Sequence, residues 1–325
     1  MSAPRRVLIT GGAGFIGSHL AGRLLERGDE VMVVDDLSTG RRANLPERHD
    51  RLRFVESDLA RALESLAGER FDEIYHLAAA VGVKLVIDEP IRSIETNVEQ
   101  TAALMRFVAS RPSPPRTLIA SSSEVYGKAA KSPFSEEDDV VYGPTTVGRW
   151  SYACSKAIDE YLALAYHAQR RVPVLVARFF NTVGPRQVGE YGMVLPRFVG
   201  AALRNEPLTV YGDGSASRCF CDVRDVVAVL PRLLAEPAGH GRIFNVGSDR
   251  PITILALAEL VVRTLGSSSR IRTIPYGEAF PVGFEDLRQR QPDLSRLRSL
   301  VRFEPEIPLE RTIADIARFI REGGA

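Results

Sequence analysis

The sequence predicts an α/β protein built on a doubly wound parallel sheet. Short apolar strands alternate with helical stretches through the first half, the strands lack an apolar/polar alternation, and a glycine-rich turn joins the first strand to the first helix. Val7 to Thr10 reads as a strand and Phe15 to Arg27 as a helix, with Ile16, Leu20 and Leu24 on one stripe. Glu30 to Asp35 and Arg53 to Val55 are the next strands, and Ile74 to Leu77, Thr117 to Ala120 and Val174 to Ala177 continue the series. Strands that are apolar on both faces belong to a sheet covered on both sides. After about residue 180 the texture changes, with Gly184-Pro185, Glu206-Pro207 and Gly212-Asp213-Gly214. A smaller mixed domain is expected there. The expected division is 1–180, with returns to the sheet near 219–250 (at Phe220 to Val223 and Phe244 to Val246), against 181–218 plus 251–325.

Bulk properties narrow the function. The 325 residues are 45% hydrophobic and 26% charged, with a net charge of +1, so no basic field points to nucleic acid or to an anionic membrane. The apolar run Val7-Leu8-Ile9 is too short for a signal peptide or a membrane span, and a cytoplasmic protein is expected. The three cysteines, Cys154, Cys219 and Cys221, make no disulfide framework. Cys219 and Cys221 would share one face of a strand; without a second Cys/His cluster, packing is expected there and no metal.

Thr10-Gly11-Gly12-Ala13-Gly14-Phe15-Ile16-Gly17 lies at the first strand–helix junction, with the spacing G-x-x-G-x-x-G. Gly11 permits the tight turn, Gly14 lets backbone approach a pyrophosphate, and Gly17 allows close packing. The helix N-terminus, from Phe15 and Ile16 onward, offers N–H groups and a positive dipole end to phosphates. Asp35 closes the second strand some twenty residues on, where a carboxylate accepts from both adenosine-ribose hydroxyls and repels a 2′-phosphate. That favours NAD over NADP, and Arg41 and Arg42 read as solvated loop charges. Asp58-Leu59 is placed to meet the adenine, and Leu77-Ala78-Ala79 supplies small residues where backbone passes the cofactor.

Arg149-Trp150-Ser151-Tyr152-Ala153-Cys154-Ser155-Lys156 carries the strongest catalytic signal. Tyr and Lys four residues apart share a helix face, and an ammonium beside a phenol favours the phenolate. A phenolate can take a proton from a sugar hydroxyl. Ser121-Ser122-Ser123-Glu124 follows a strand end, where ligands of such sheets bind, and a hydroxyl there can hold the reacting oxygen. Glu124 in apolar surroundings would have a raised pKa and could exchange protons near neutrality.

Together these residues resemble the extended short-chain dehydrogenase/reductases that act on nucleotide sugars. The resemblance covers nearly the whole chain. It rests on Gly11 to Gly17, Asp35, Asp58, Asn97, Ser122, Tyr152 and Lys156, and on later pieces from Arg178 to Arg186, Pro207 to Gly214, Arg218, and Asn245 to Gly247. It implies that Asn97, Tyr152 and Lys156 also touch NAD. It implies that Asn181 and the segment from Leu195 to Val210 hold the nucleotide, and that Arg218 and Arg290 face its diphosphate. Arg186 and Tyr211 belong to the same implied substrate set.

The resemblance also implies a mechanism. Tyr152 takes the 4-hydroxyl proton while a hydride passes from sugar C4 to NAD, Ser122 holds the oxygen, and Lys156 keeps the phenolate available. The 4-keto sugar can then be epimerised, dehydrated, or, in a hexuronate, decarboxylated. Simple 4-epimerases usually carry a small or hydroxyl residue at the Glu124 place. The Arg149 to Cys154 segment is similar to UDP-apiose/UDP-xylose synthases and to the UDP-glucuronate decarboxylase domain of lipid A modification, where the matching arginine addresses the sugar carboxylate. Guanidinium suits that task because it can bind a carboxylate through two parallel bonds. Ser123, where the apiose-forming enzymes have Cys, speaks against ring contraction. The expectation is a UDP-glucuronate decarboxylase forming UDP-xylose, with a UDP-sugar 4-epimerase and then a 4,6-dehydratase as alternatives. A homodimer paired through the helices near Asn97 to Ser110 and Ser151 to Gln169 is a further expectation from the resemblance.

Overall fold

The computed structural model describes residues 3–79, 88–129, 131–189, 193–279 and 289–324. Seven strands form one parallel sheet: β1 (Arg6–Thr10), β2 (Glu30–Asp35), β3 (Leu52–Glu56), β4 (Glu73–His76), β5 (Arg116–Ser122), β6 (Val174–Phe179) and β11 (Ile243–Val246), in the order β11-β6-β5-β4-β1-β2-β3. The order reverses between β1 and β4, and such a switch point opens a crevice at the carboxyl ends of the strands. The sheet is the expected doubly wound one.

Strand pleating sends alternate side chains to opposite faces. Val7, Ile9 and Val33 enter one core, with α1 (Phe15–Glu26) and α6 (Val223–Ala235) packed over it through Leu20, Leu24, Val226 and Leu230. Leu8, Met32 and Val34 enter the other, beneath α2 (Leu59–Ser65), α3 (Pro90–Ala109) and α4 (Ser151–Arg170). Burial on both faces explains why these strands read as continuous apolar runs.

A third core stands apart from the sheet. It joins α5 (Val194–Leu203), β8 (Leu208–Tyr211), α7 (Ile254–Leu265) and α8 (Leu309–Arg321) through Leu195, Phe198, Leu208, Leu257, Val261 and Ile313. Two small ladders lie beside it. β12 (Pro251–Thr253), β9 (Ser217–Cys219) and β14 (Gln289–Arg290) form one, and β13 (Ile271–Ile274) pairs with β8 in the other.

One expected return to the sheet does not occur. Ile243–Val246 joins the main sheet beside β6, but β10 (Cys221–Asp222) pairs with β7 (Thr182–Val183) instead. The Asp222 side chain caps α6 immediately afterwards, so only two residues are left to be extended. Cys219 and Cys221 are buried, and Cys221 belongs to the first core. Among the described residues no helix is long and apolar enough to cross a membrane.

Leu24 is fully buried between sheet and helices. Leu24→Ala is expected to lower the unfolding free energy by about 3 kcal/mol, transfer loss plus cavity. Urea titration checks this; a change under about 1 kcal/mol would mean that α1 is not anchored there.

Candidate active site

The glycine turn is shaped by its own packing. Gly11 has φ +70°, and a Cβ there would stand 2.6 Å from the Ala78 nitrogen. That conformation favours glycine, and the contact leaves no room for a side chain. A Cβ on Gly17 would overlap the Gly11 carbonyl oxygen, so Gly17 closes the turn. Gly14 differs: a Cβ there would meet only the Gly11 oxygen within 4 Å, so its outer side is open. α1 begins at Gly14 with no side-chain cap and no acidic residue in its first turn. Its leading N–H groups and dipole end are therefore available to an anion.

Asp35 stands beside this turn, accepting from the Ala13 and Leu37 backbone N–H groups, each at 2.9 Å. Burial raises its pKa and these bonds oppose the rise. Arg186 approaches α1 from the other side and donates to Ser18 Oγ at 3.3 Å. Burial lowers the Arg186 pKa, and no ion pair compensates it among the described residues. A pyrophosphate at the α1 terminus would supply the missing negative charge. The uncapped terminus, the open face of Gly14 and the Asp35 carboxylate fit a dinucleotide.

The residues expected to carry the chemistry meet at the end of β5. The chain turns there through Ser123–Tyr126, and the Ser122 hydroxyl accepts from the Glu124 N–H at 3.2 Å. Tyr152 and Lys156 lie on the same side of α4, and the Ser122 hydroxyl is near enough to the Tyr152 phenol to oppose a rise in its pKa. Glu124 sits between two guanidinium groups. Arg149 Nη1 lies 2.8 Å from Oε2, and Arg290 Nη1 lies 2.6 Å from Oε1.

Two electrostatic expectations are corrected. Glu124 was expected to have a raised pKa. Burial alone would raise it, but the charges and hydrogen bonds of Arg290 and Arg149 reverse that and bring it down to about 2. Glu124 is thus a carboxylate at neutral pH and no proton donor. Lys156 was expected to favour the Tyr152 phenolate. Within the protein alone Tyr152 is pushed the other way, by burial and the negative charge of Glu124, with only the Ser122 hydroxyl opposing before Asp159 adds to the rise. The Lys156 ammonium is engaged by Asp159, at 2.8 Å.

Several expected cofactor residues have structural tasks. The Asp58 side chain caps α2 through the Arg61 N–H while remaining exposed, and Leu59 is buried in the second core. Phe15, Ile16 and Leu77 pack against the first core. Ala78 donates its N–H to Thr10 Oγ1 at 3.3 Å, and Ala79 follows it at the strand end. Asn97 is buried and donates to Ser155, tying α3 to α4. Arg42 is not merely solvated: it donates to three backbone carbonyls and covers the Phe54 ring.

Among expected substrate residues, Asn181 donates to the Cys219 carbonyl at 3.4 Å, and Tyr211 accepts from Arg197 at 2.6 Å. Arg218 and Arg290 are register partners on β9 and β14, yet they diverge in use. Arg218 donates to the Ser217 carbonyl, and Arg290, expected on a diphosphate, reaches Glu124. Ser123 is buried within the turn. Sequence reasoning missed Asp159 and His76. His76 lies between Thr10 and Thr101 hydroxyls, and burial, then the Lys156 charge, lower its pKa to about 3.

The NAD dependent epimerase/dehydratase family model matches residues 7–247. The chain belongs to that family. It is 38% identical over 321 residues to a UDP-N-acetyl-α-D-glucosaminuronate decarboxylase of Bacillus cytotoxicus, covering 98% of each chain. It is 37% identical to UDP-glucuronic acid decarboxylase 4 of Arabidopsis thaliana, covering 98% of this chain and 69% of that one. Among solved structures, UDP-N-acetylglucosamine 4-epimerase from Methanobrevibacter ruminantium, in complex with UDP-N-acetylmuramic acid, superposes with a TM-score of 0.88 at 27% identity, covering 99% and 100% of the two chains. NAD is the family's cofactor, and the shape of the Gly11–Gly17 turn fits it.

The Glu124 clamp predicts a pH signature. Its folded pKa lies below the ordinary value of 4.5, so its contribution to stability is complete above pH 4.5 and is lost as pH falls toward 2. Glu124→Gln should therefore be less stable than wild type at neutral pH, and the gap should close on acidification. Urea titrations across that range check it; a gap independent of pH would mean that the carboxylate is not held by the arginines.

Proposed function

We propose that this protein is a UDP-glucuronate decarboxylase that forms UDP-xylose. The observation that carries the reading is the convergence of Arg149 and Arg290 on Glu124 beside Tyr152. A guanidinium can bind a carboxylate through two parallel bonds, a contact that a uronate offers and a neutral hexose does not. Arg149 Nε is buried with no hydrogen-bond partner among the described residues, so Arg149 has a donor to offer.

In this reading Tyr152 removes the proton from the C4 hydroxyl and Ser122 holds the same oxygen. When bound, NAD supplies the redox couple that makes and later reduces the C4 ketone, and its oxidised ring adds a positive charge that favours the phenolate. The ketone is β to the C6 carboxylate, so CO2 can leave with its bonding electrons passing to C5 and the carbonyl, and the resulting enolate takes a proton from water at C5 before the ketone is reduced. Arg149 holds the carboxylate until it departs. Glu124, ionised, keeps both guanidiniums in place, and Tyr152, protonated after the first step, holds a proton at the C4 oxygen. Relatives named as uronate decarboxylases support the reading.

A second substrate is favoured by the similarity to the Bacillus cytotoxicus enzyme, whose name specifies a 2-acetamido uronate. The same clamp would serve it, since the two sugars differ at C2 and share C6. The 4-epimerase alternative, on UDP-glucose or UDP-glucuronate, draws support from the solved epimerase, and since a uronate 4-epimerase could use the same arginines, release of CO2 is what separates the two. The apolar residues Ile94, Ile158 and Tyr161 stand exposed on the packed pair α3 and α4, and we propose that they pair two copies of the chain.

Incubation with NAD and either UDP-glucuronate or its 2-acetamido counterpart should release CO2 and leave a nucleotide pentose, read by mass and NMR. Only the 4-epimer, with no CO2, would overturn the reading. Arg149→Ala should weaken uronate binding by about 2–5 kcal/mol and leave UDP affinity unchanged; equal losses for both would place Arg149 elsewhere. Tyr161→Asp should convert a dimer to monomer in light scattering, and an unchanged mass would remove this face from the assembly.

A further inference from the structure

Lys156 and Asp159 form an ion pair inside the protein. The Lys156 Nζ donates to Asp159 Oδ2 at 2.8 Å, and the two side chains are 2% and 0% exposed. They stand three residues apart on α4, so helix geometry brings them together. Dehydrating two ions opposes folding, and two apolar side chains of similar volume would often be as stable or more so. Packing alone therefore gives no reason for this pair.

The surrounding groups leave Asp159 with a particular task. His76, from β4, faces Lys156 as a neutral imidazole bonded to Thr10 and Thr101. Glu160 is occupied by Arg178 of β6 and by Ser121 of β5. Glu124 is held by Arg149 and Arg290, and Tyr152 is a neutral phenol in the protein alone. Thr101 of α3 packs against Asp159 without adding charge. Among the described residues, Asp159 is the carboxylate bonded to Lys156.

We propose that Asp159 is a positioning residue of the cofactor site, the fixed counter-ion that keeps Lys156 charged and oriented for NAD. An ammonium has three N–H donors. One goes to Asp159, and no other bond of the ammonium is seen among the described residues. The inference rests on the NAD site and on the family assignment, and is independent of which sugar reaction follows.

The test is NAD binding by calorimetry between about pH 6 and 9, a range that brackets a buried, unpaired lysine losing its proton. Asp159→Asn leaves the ammonium buried without a counter-ion. Its NAD affinity should fall about tenfold per pH unit above a midpoint in that range, as the binding-competent fraction shrinks. Wild type should stay flat, and Asp159→Glu should largely restore the flat profile. An Asn variant as flat and as tight as wild type overturns the proposal. A second measurement holds even where the Asn variant folds poorly. Lys156→Met/Asp159→Asn buries no charge and should unfold at higher urea than either single variant; a double variant no more stable than the singles also overturns it. Wild type that took up no NAD would defeat the cofactor reading and this proposal together, whereas NAD binding without CO2 release would defeat only the decarboxylase reading.

Discussion

One ionic arrangement links the distant parts of this chain: Glu124 gripped by Arg149 and Arg290. The carboxylate comes from the turn after β5, Arg149 from the short turn before α4, and Arg290 from β14, beside the third core. The grip ties the strand end that presents Ser122 and the helix that presents Tyr152 to β14. Both oxygens of the Glu124 carboxylate are taken, one by each arginine.

Charge management also explains the phenol and the ammonium. Burial and neighbouring carboxylates oppose ionisation of Tyr152, while Lys156 is balanced by Asp159. The protein thus presents a reactive pair whose charge is nearly cancelled until something cationic joins it. An oxidised nicotinamide is such a group, and it would couple readiness for proton removal to the presence of the oxidant. Unproductive ionisation of the site in its absence is thereby avoided.

Much of the sheet was legible because parallel strands, buried on both faces, leave an unbroken apolar signature. Glu30–Asp35 was placed to the residue, and the glycine turn was placed where the structure has it. The pairing of Cys221–Asp222 with Thr182–Val183 was not legible, since two-residue strands carry no periodicity. At the site, residue types were easier to read than charge states. Glu124, Arg149 and Arg290 were all singled out, but a pKa depends on neighbours brought from 166 residues away, as Arg290 is to Glu124. Asp58 carries a local task that its motif position did not suggest, as the cap of α2. Asp159 was overlooked because an acid one turn after the lysine looks like any solvated helix charge until burial is known.

The most direct measurement is a crystal structure of the Tyr152→Phe variant with NAD and UDP-glucuronate, in which removal of the phenol stops turnover. The account predicts that the C6 carboxylate accepts hydrogen bonds from Arg149 while Glu124 keeps Arg290. A uronate bound with its carboxylate turned to solvent, touching neither arginine, would contradict it.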